Sequence, residues 1–159
     1  MAALEFKLTR LRGDQFYTWG ILEEMTGTGF KCRTCEEAKK RCLPEGEYPM
    51  KIFTDLVTLN YGLRLSVGGI WRFSRFAREM VGDMPGTIVL AGSFDESAKP
   101  INTERVFRGL SQIVETRICE GNLNKNCKRG EILLKIEKSP DFVFQEQEVQ
   151  REDMDLDFT

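Results

Sequence analysis

The sequence contains no histidine. Imidazole is the side chain that most often acts as a general base near neutral pH, and it is the most frequent metal ligand in proteins. Any acid–base chemistry would therefore fall to carboxylate, lysine, tyrosine or cysteine side chains. The absence argues against histidine-dependent catalysis and against histidine-ligated metal centres.

Long apolar runs are absent as well. No segment approaches the roughly 18 apolar residues that cross a bilayer, and the first residues contain no apolar stretch of signal-peptide length. The formal net charge of −2 gives no general attraction to nucleic acid or to an anionic membrane surface. We therefore expect a cytoplasmic protein that binds neither a membrane nor nucleic acid.

The length and composition are typical of one globular domain. The chain has 159 residues, of which 41% are hydrophobic and 30% are charged. The charge is uneven, because residues 145–159 contain six carboxylates and one arginine, a net charge of −5. We interpret residues 1–142 as a single β-rich domain and residues 143–159 as an acidic, solvated C-terminal tail.

The tail also carries an apolar pattern. Met154, Leu156 and Phe158 alternate with aspartates. This alternation suits a segment that adds as an extended strand to a partner or to the body of the protein, or that binds the basic segment 72–78. These three residues are candidate partner-binding residues.

Most of the remaining chain consists of short segments of period two separated by glycine and proline, which is typical of strands. Strands are predicted over residues 3–11, 16–22, 47–53, 61–67, 87–90 and 131–138. Helical spacing of Val106, Leu110 and Val114 predicts one helix over about 102–118, with Asn102 or Thr103 as its N-cap. The segment 70–81 is a second, shorter helix candidate. The expected fold class is α+β, mainly β, with a small antiparallel or mixed sheet or a barrel-like core.

The segment WRFSRFAR, residues 71–78, interleaves aromatic and basic side chains. Such a composition occurs on base-stacking surfaces, on membrane-surface helices and on amphipathic helices whose arginine stems cover a core. In a nearly neutral protein we favour packing or a protein interface. Trp71, Arg72 and Arg75 are therefore further candidate partner-binding residues.

The five cysteines leave three alternatives open. Cys32, Cys35 and Cys42 have the spacing C-x2-C-x6-C, and they form a weak candidate for a zinc or iron site, which needs four ligands. Cys119 and Cys127 flank a seven-residue loop and are a candidate disulfide. Alternatively all five are ordinary thiols, with Cys35 a small core residue. An odd count favours a reducing compartment over a disulfide framework. Because the metal-ligand spacing is a weak signal, we favour ordinary thiols and expect no metal and no cofactor.

Four motifs occur in an order that resembles an uncharacterised domain family of bacteria and their phages. They are TWGIL (residues 18–22), RTCEE (33–37), LPEGEYPMKI (43–52) and GTIVLAGS (86–93). The resemblance covers residues 5 to 137. In that family the last motif contains a histidine, and a Gly-Cys pair follows about ten residues later, a layout similar to that of L,D-transpeptidases.

The resemblance implies a degenerate site. Leu90 stands at the histidine position, Gly92 and Ser93 keep the frame beside it, and the Gly-Cys position falls in residues 96–100, which lack cysteine. The thiolate nucleophile and the base that activates it are both missing. We therefore expect no catalytic residues and a non-catalytic structural or protein-interaction module, from a phage-like, mobile-element or injection-machine context. Its partner would be another protein or a second copy. The alternative is an L,D-transpeptidase-like enzyme that acts on peptidoglycan peptides with a rearranged cysteine.

Overall fold

Strands dominate the described part of the chain. The computed structural model describes residues 4–37, 42–54, 61–65, 72–74, 87–97, 99–117 and 132–145. The first five strands are β1 (Leu4–Gly13), β2 (Tyr17–Glu24), β3 (Lys31–Glu37), β4 (Gly46–Thr54) and β5 (Tyr61–Leu65). The next four are β6 (Arg72–Ser74), β7 (Thr87–Ala91), β8 (Ser93–Phe94) and β9 (Pro100–Ile101). Helix α1 (Thr103–Arg117) and strand β10 (Ile132–Phe144) follow.

Eight of these strands close into a barrel in the order β1-β10-β4-β5-β6-β7-β3-β2. The pairs β1–β10 and β6–β7 are parallel, and the other neighbours are antiparallel. Between β5 and β6 the barrel closes through one paired position, Arg64 with Arg72. Strands β8 and β9 form a separate two-stranded sheet. The predicted class, mainly β with a mixed, barrel-like core, is confirmed.

The core follows from the period-two pattern of the strands. Leu4, Phe6 and Leu8 of β1 are fully buried and alternate with more exposed residues. They pack with inward-facing side chains of the other strands and with helix α1, among them Leu22, Ile88, Leu90, Leu110, Val114, Leu134 and Ile136. Full burial of each large apolar side chain stabilises the fold by about 1.5–3 kcal/mol. The amphipathic helix therefore supplies one wall of the same core.

The helix begins as the sequence predicted. Asn102 accepts the first helical hydrogen bond, from the Val106 amide, at 3.3 Å. It therefore occupies the N-cap position, and its φ of +63° is one that asparagine tolerates better than most residues. The predicted helix over about 102–118 is confirmed as Thr103–Arg117.

Strands β3, β8 and β9 have no counterpart among the predicted strands. Two further segments differ from the sequence predictions. Of residues 70–81, the structure describes Arg72–Ser74, which form strand β6 instead of a helix, because they pair with Thr87–Val89 of β7. The rest of that segment lies outside the described residues. Strand β10 continues to Phe144, beyond the predicted end near residue 138. Within the described residues, no helix has the length and apolarity needed to span a membrane.

Candidate functional site

Leu90, the first residue of the predicted site, lies inside the barrel. Leu90 is 0% exposed, and it pairs with Thr34 across β7 and β3. Its side chain belongs to the hydrophobic core. A side chain that points from this position into a packed core does not reach a solvated substrate, so Leu90 acts in packing.

Gly92 lies between β7 and β8, close to the start of the helix. Its amide donates a hydrogen bond to the Ile101 carbonyl at 2.9 Å. A Cβ atom at this position would lie 3.2 Å from Cβ of Asn102, which is tighter than ordinary side-chain contacts. The glycine therefore allows the chain to approach the N-cap of α1 closely.

Ser93 lines a surface groove with a volume of about 480 Å³, which we call the outer groove. Arg12 of β1, Trp19 of β2 and Arg33 of β3 line one side of the groove, and residues 93–96 line the other. Arg12 and Arg33 are exposed, whereas their neighbours in the alternating pattern face the barrel interior. The outer groove thus lies on the outside of the barrel, where three strands meet the β8 segment.

A β-bulge creates the basic side of this groove. The register of β1 against β2 shifts between Arg10 and Arg12, so Leu11 is the extra residue of β1. Against β10 the register shifts at the same place, but there residues 139–142 of β10 lie opposite Leu11. In a regular strand, residues 10 and 12 would share one face. The bulge instead leaves Arg10 buried inside the barrel and Arg12 exposed at the groove. One inserted residue therefore divides two similar arginines between structural and surface roles.

Aromatic rings form the central part of the groove. The Trp19 ring lies 5.4 Å from that of Phe94 in an edge-to-face arrangement and 5.7 Å from that of Tyr17. The Arg12 guanidinium lies 5.0 Å from the centroid of Trp19, a cation–π contact. Among the described residues, Nε1 of Trp19 has no hydrogen-bond partner. Trp19 is therefore held by stacking on several sides and offers an aromatic platform beside a cation.

The charges of the groove are mixed. Arg12 and Arg33 make no ion pair with any described residue. Oδ1 of Asp14 accepts hydrogen bonds from the amides of Phe16 and Tyr17, at 2.7 and 2.8 Å. Oδ1 of Asp95 likewise accepts two amide hydrogen bonds, at 2.8 and 2.9 Å, within its own turn. These two carboxylates stabilise turns, so within the described residues the two guanidinium groups have no acidic partner.

A second polar cluster lies inside the barrel. Nε and Nη2 of Arg10 donate to the two carboxylate oxygens of Glu36 at 3.0 and 2.7 Å, and Nη2 also donates to the Leu43 carbonyl at 2.7 Å. Burial would lower the pKa of Arg10, but its bonds with Glu36 outweigh that effect and hold the pKa above its ordinary value. Burial raises the pKa of the Glu36 carboxyl, against the opposing effect of Arg10. This bidentate pair is buried, so its role is structural.

The described cysteines do not converge. Cys32 and Cys35 are three residues apart on β3, so they point to opposite faces of the strand, and both are buried. Burial raises the pKa of the Cys32 thiol to about 12, which suppresses the reactive thiolate. Cys42 is half-buried, and among the described residues no cluster of three potential ligands forms. Cys119 and Cys127 lie outside the described residues.

The remaining predicted site residues are described only in part. Arg72 lies in β6, paired with Arg64 and Thr87. Trp71 and Arg75 lie outside the described residues, as do Met154, Leu156 and Phe158. Sequence reasoning missed Arg12, Trp19, Arg33 and Phe94 as groove residues. The only local signal was the aromatic content of strand β2, which is equally typical of core strands.

No protein-family model, no curated protein and no solved structure matches this chain. The geometry of the outer groove therefore carries the functional argument.

Proposed function

We propose that this chain is a non-catalytic protein-interaction module that binds an extended peptide segment in the outer groove. The observation that carries the proposal is the combination of two available guanidinium groups with the Trp19–Phe94 pair in one groove. Arginine and aromatic residues are enriched at the centres of protein interfaces, where they supply most of the binding free energy.

The groove chemistry indicates the kind of peptide. A carboxylate side chain would accept hydrogen bonds from Arg12 or Arg33, and an aromatic or apolar neighbour would pack on Trp19 and Phe94. We therefore propose a partner segment that combines acidic and apolar residues. We also propose that the chain is related to the bacterial and phage domain family that it resembles. We further propose that it acts in the cytoplasm.

The burial of Leu90 supports the non-catalytic part of the proposal. A general base at this position would point into the core, and the described thiols include two that are buried. The outer groove itself is lined by arginines, aromatics, carboxylates and hydroxyls, without a cysteine.

A displayed random-peptide library tests this function. Selection on the full chain should enrich peptides with Asp or Glu next to aromatic or aliphatic residues. The double variant Arg12→Ala with Arg33→Ala should lose this enrichment. Lys7→Ala is the matched control, since Lys7 lies on the same strand and forms a surface ion pair with Glu137 at 2.9 Å.

Equal enrichment on the wild type and the double variant would overturn the proposed groove. Release of D-alanine from muropeptides, abolished by a cysteine-to-alanine change, would instead support the L,D-transpeptidase-like alternative.

A further inference from the structure

The last described strand delivers the chain to the rim of the outer groove. Val143 of β10 pairs with Arg12, and Arg12 pairs with Trp19 on its other side. Because neighbouring strands lie about 4.8 Å apart, Cα of Val143 is about 10 Å from Cα of Trp19. The Gln145 amide then donates to the Gly13 carbonyl at 2.7 Å, which fixes the exit point of the chain. Residues 146–159 therefore begin beside the groove.

Exposed apolar side chains lie at this end of β10 and in the turn between β1 and β2. Val143 and Phe144 are more than half exposed, and Phe16, which follows the groove residue Asp14, is 50% exposed. Large apolar side chains that cluster at a rim mark a surface where another segment packs. Val143 and the aromatic platform are separated by a single strand, since β1 lies between β10 and β2.

The composition of residues 146–159 matches the peptide class proposed for the groove. These 14 residues contain six carboxylates, and Met154, Leu156 and Phe158 alternate with aspartates. In an extended segment the apolar side chains would lie on one face and the carboxylates on the other. At about 3.3 Å per residue, the segment can reach roughly 46 Å, so its length does not prevent it from crossing the groove.

We infer that residues 146–159 occupy the outer groove of their own chain and compete with the partner peptide. This inference rests on the proposed function, because it assumes that the groove binds acidic and apolar segments. The groove also contains Asp14, Asp95 and Glu96, which repel an acidic segment, so the carboxylates of the segment would have to lie at Arg12 and Arg33. Tethering gives the segment an effective concentration in the millimolar range, which is enough to make weak contacts competitive.

Trp19 provides the readout. The chain contains two tryptophans, so Trp71→Phe leaves Trp19 as the sole tryptophan reporter at the groove. The test compares three full-length proteins on this background. They are the parent, the variant Met154→Ser with Leu156→Ser and Phe158→Ser, and a matched control, Gln147→Ser with Gln150→Ser.

The probe is a synthetic peptide of residues 146–159, titrated while Trp19 fluorescence is measured. The apolar-to-serine variant should bind the peptide at least about tenfold more tightly than the parent, because its groove is vacated. The glutamine control should behave like the parent. Adding Arg12→Ala and Arg33→Ala should abolish binding in every background.

Equal affinities in the parent and the apolar-to-serine variant would overturn the inference. The proposed function would survive that result if library peptides still bound in an Arg12- and Arg33-dependent way. A parent protein that is dimeric by sedimentation, and whose Trp19 emission changes on dilution, would place the segment of a second copy in the groove. That outcome would also overturn occupation by the same chain.

Discussion

Glu24 shows how one buried carboxylate organises a loop. The side chain lies at the end of β2 and is 6% exposed. Its oxygens accept hydrogen bonds from the Glu5 amide at 2.8 Å and from the hydroxyls of Thr26 and Thr28, both at 2.8 Å. The Thr26 hydroxyl in turn accepts a bond from Arg117 at the end of α1, at 2.8 Å. Glu24 therefore connects the β2–β3 loop to the end of the helix.

This arrangement predicts an acid-sensitive contribution to stability. Burial alone would raise the pKa of Glu24, but the hydrogen bonds from Glu5, Thr28 and Thr26 outweigh it and hold the pKa below its ordinary value of 4.5. The stabilisation is therefore complete above pH 4.5 and is lost as the pH falls through the lowered pKa. Glu24→Gln should reduce the free energy of unfolding at pH 7 by about 1.5–3 kcal/mol, measured by urea denaturation.

The neighbouring residue provides the control. Glu23 forms a surface ion pair with Lys31 at 3.4 Å, and such pairs contribute about 0–1 kcal/mol. Glu23→Gln should therefore change stability little. The unfolding free energy of Glu24→Gln should also fall less steeply below pH 4.5 than that of the wild type; parallel pH profiles would contradict the assignment.

At the scale of elements, β1 and β2 approach each other closely beside the bulge. A Cβ atom on Gly20 would lie 2.5 Å from the Thr9 carbonyl oxygen and 3.0 Å from Oγ1 of Thr34. Because the nearest atom belongs to the backbone, side-chain rotation does not relieve this contact. The glycine is thus required by the proximity of the two strands that line the outer groove.

Gly20→Ala should destabilise the protein by about 3 kcal/mol through overpacking, measured by thermal or urea unfolding. Gly109→Ala is the matched control, since a Cβ there would meet Phe30 at an ordinary distance of 3.8 Å. On helix α1 this control should increase stability by up to about 1 kcal/mol. Equal effects of the two substitutions would show that β1 and β2 are not in close contact at Gly20.

At the scale of the whole molecule, the barrel interior has an apolar part and a polar part. Leucine, isoleucine and phenylalanine side chains fill the apolar part together with α1. The Arg10–Glu36 pair occupies the polar part and also binds the Leu43 carbonyl, which lies before β4. The pair therefore ties β1, β3 and the segment before β4 together inside the barrel.

Arg10→Met should lower the free energy of unfolding by about 3–5 kcal/mol, because it leaves the Glu36 carboxylate buried without its partner. Arg10→Met combined with Glu36→Leu should recover most of this loss, because the apolar pair leaves no buried charge without a partner. Lys7→Met on the same strand should change stability little, because its ion pair with Glu137 lies at the surface. A double variant as unstable as the single one would show that the Leu43 carbonyl contact dominates.

The sequence by itself determined the class of the fold and most of its elements. The alternation of Leu4, Phe6 and Leu8 predicted β1, and the helical spacing of Val106, Leu110 and Val114 predicted α1. These patterns are local, because a period of two or 3.6 residues can be recognised within one short segment of the chain. The absence of histidine is likewise a property of the sequence alone, and it excludes imidazole chemistry from this chain in any fold.

Only the tertiary structure decided which strands are neighbours and which side chains share the groove. Barrel order depends on hydrogen bonds between distant segments, and period-two patterns do not specify a partner strand. Residues 72–74 became a strand because β5 and β7 flank them, which overrode their helical spacing. The bulge at Leu11 separated Arg10 from Arg12, and the closing barrel brought Arg12, Trp19 and Phe94 together. Such contacts join residues far apart in the chain, so only the packed barrel specifies them.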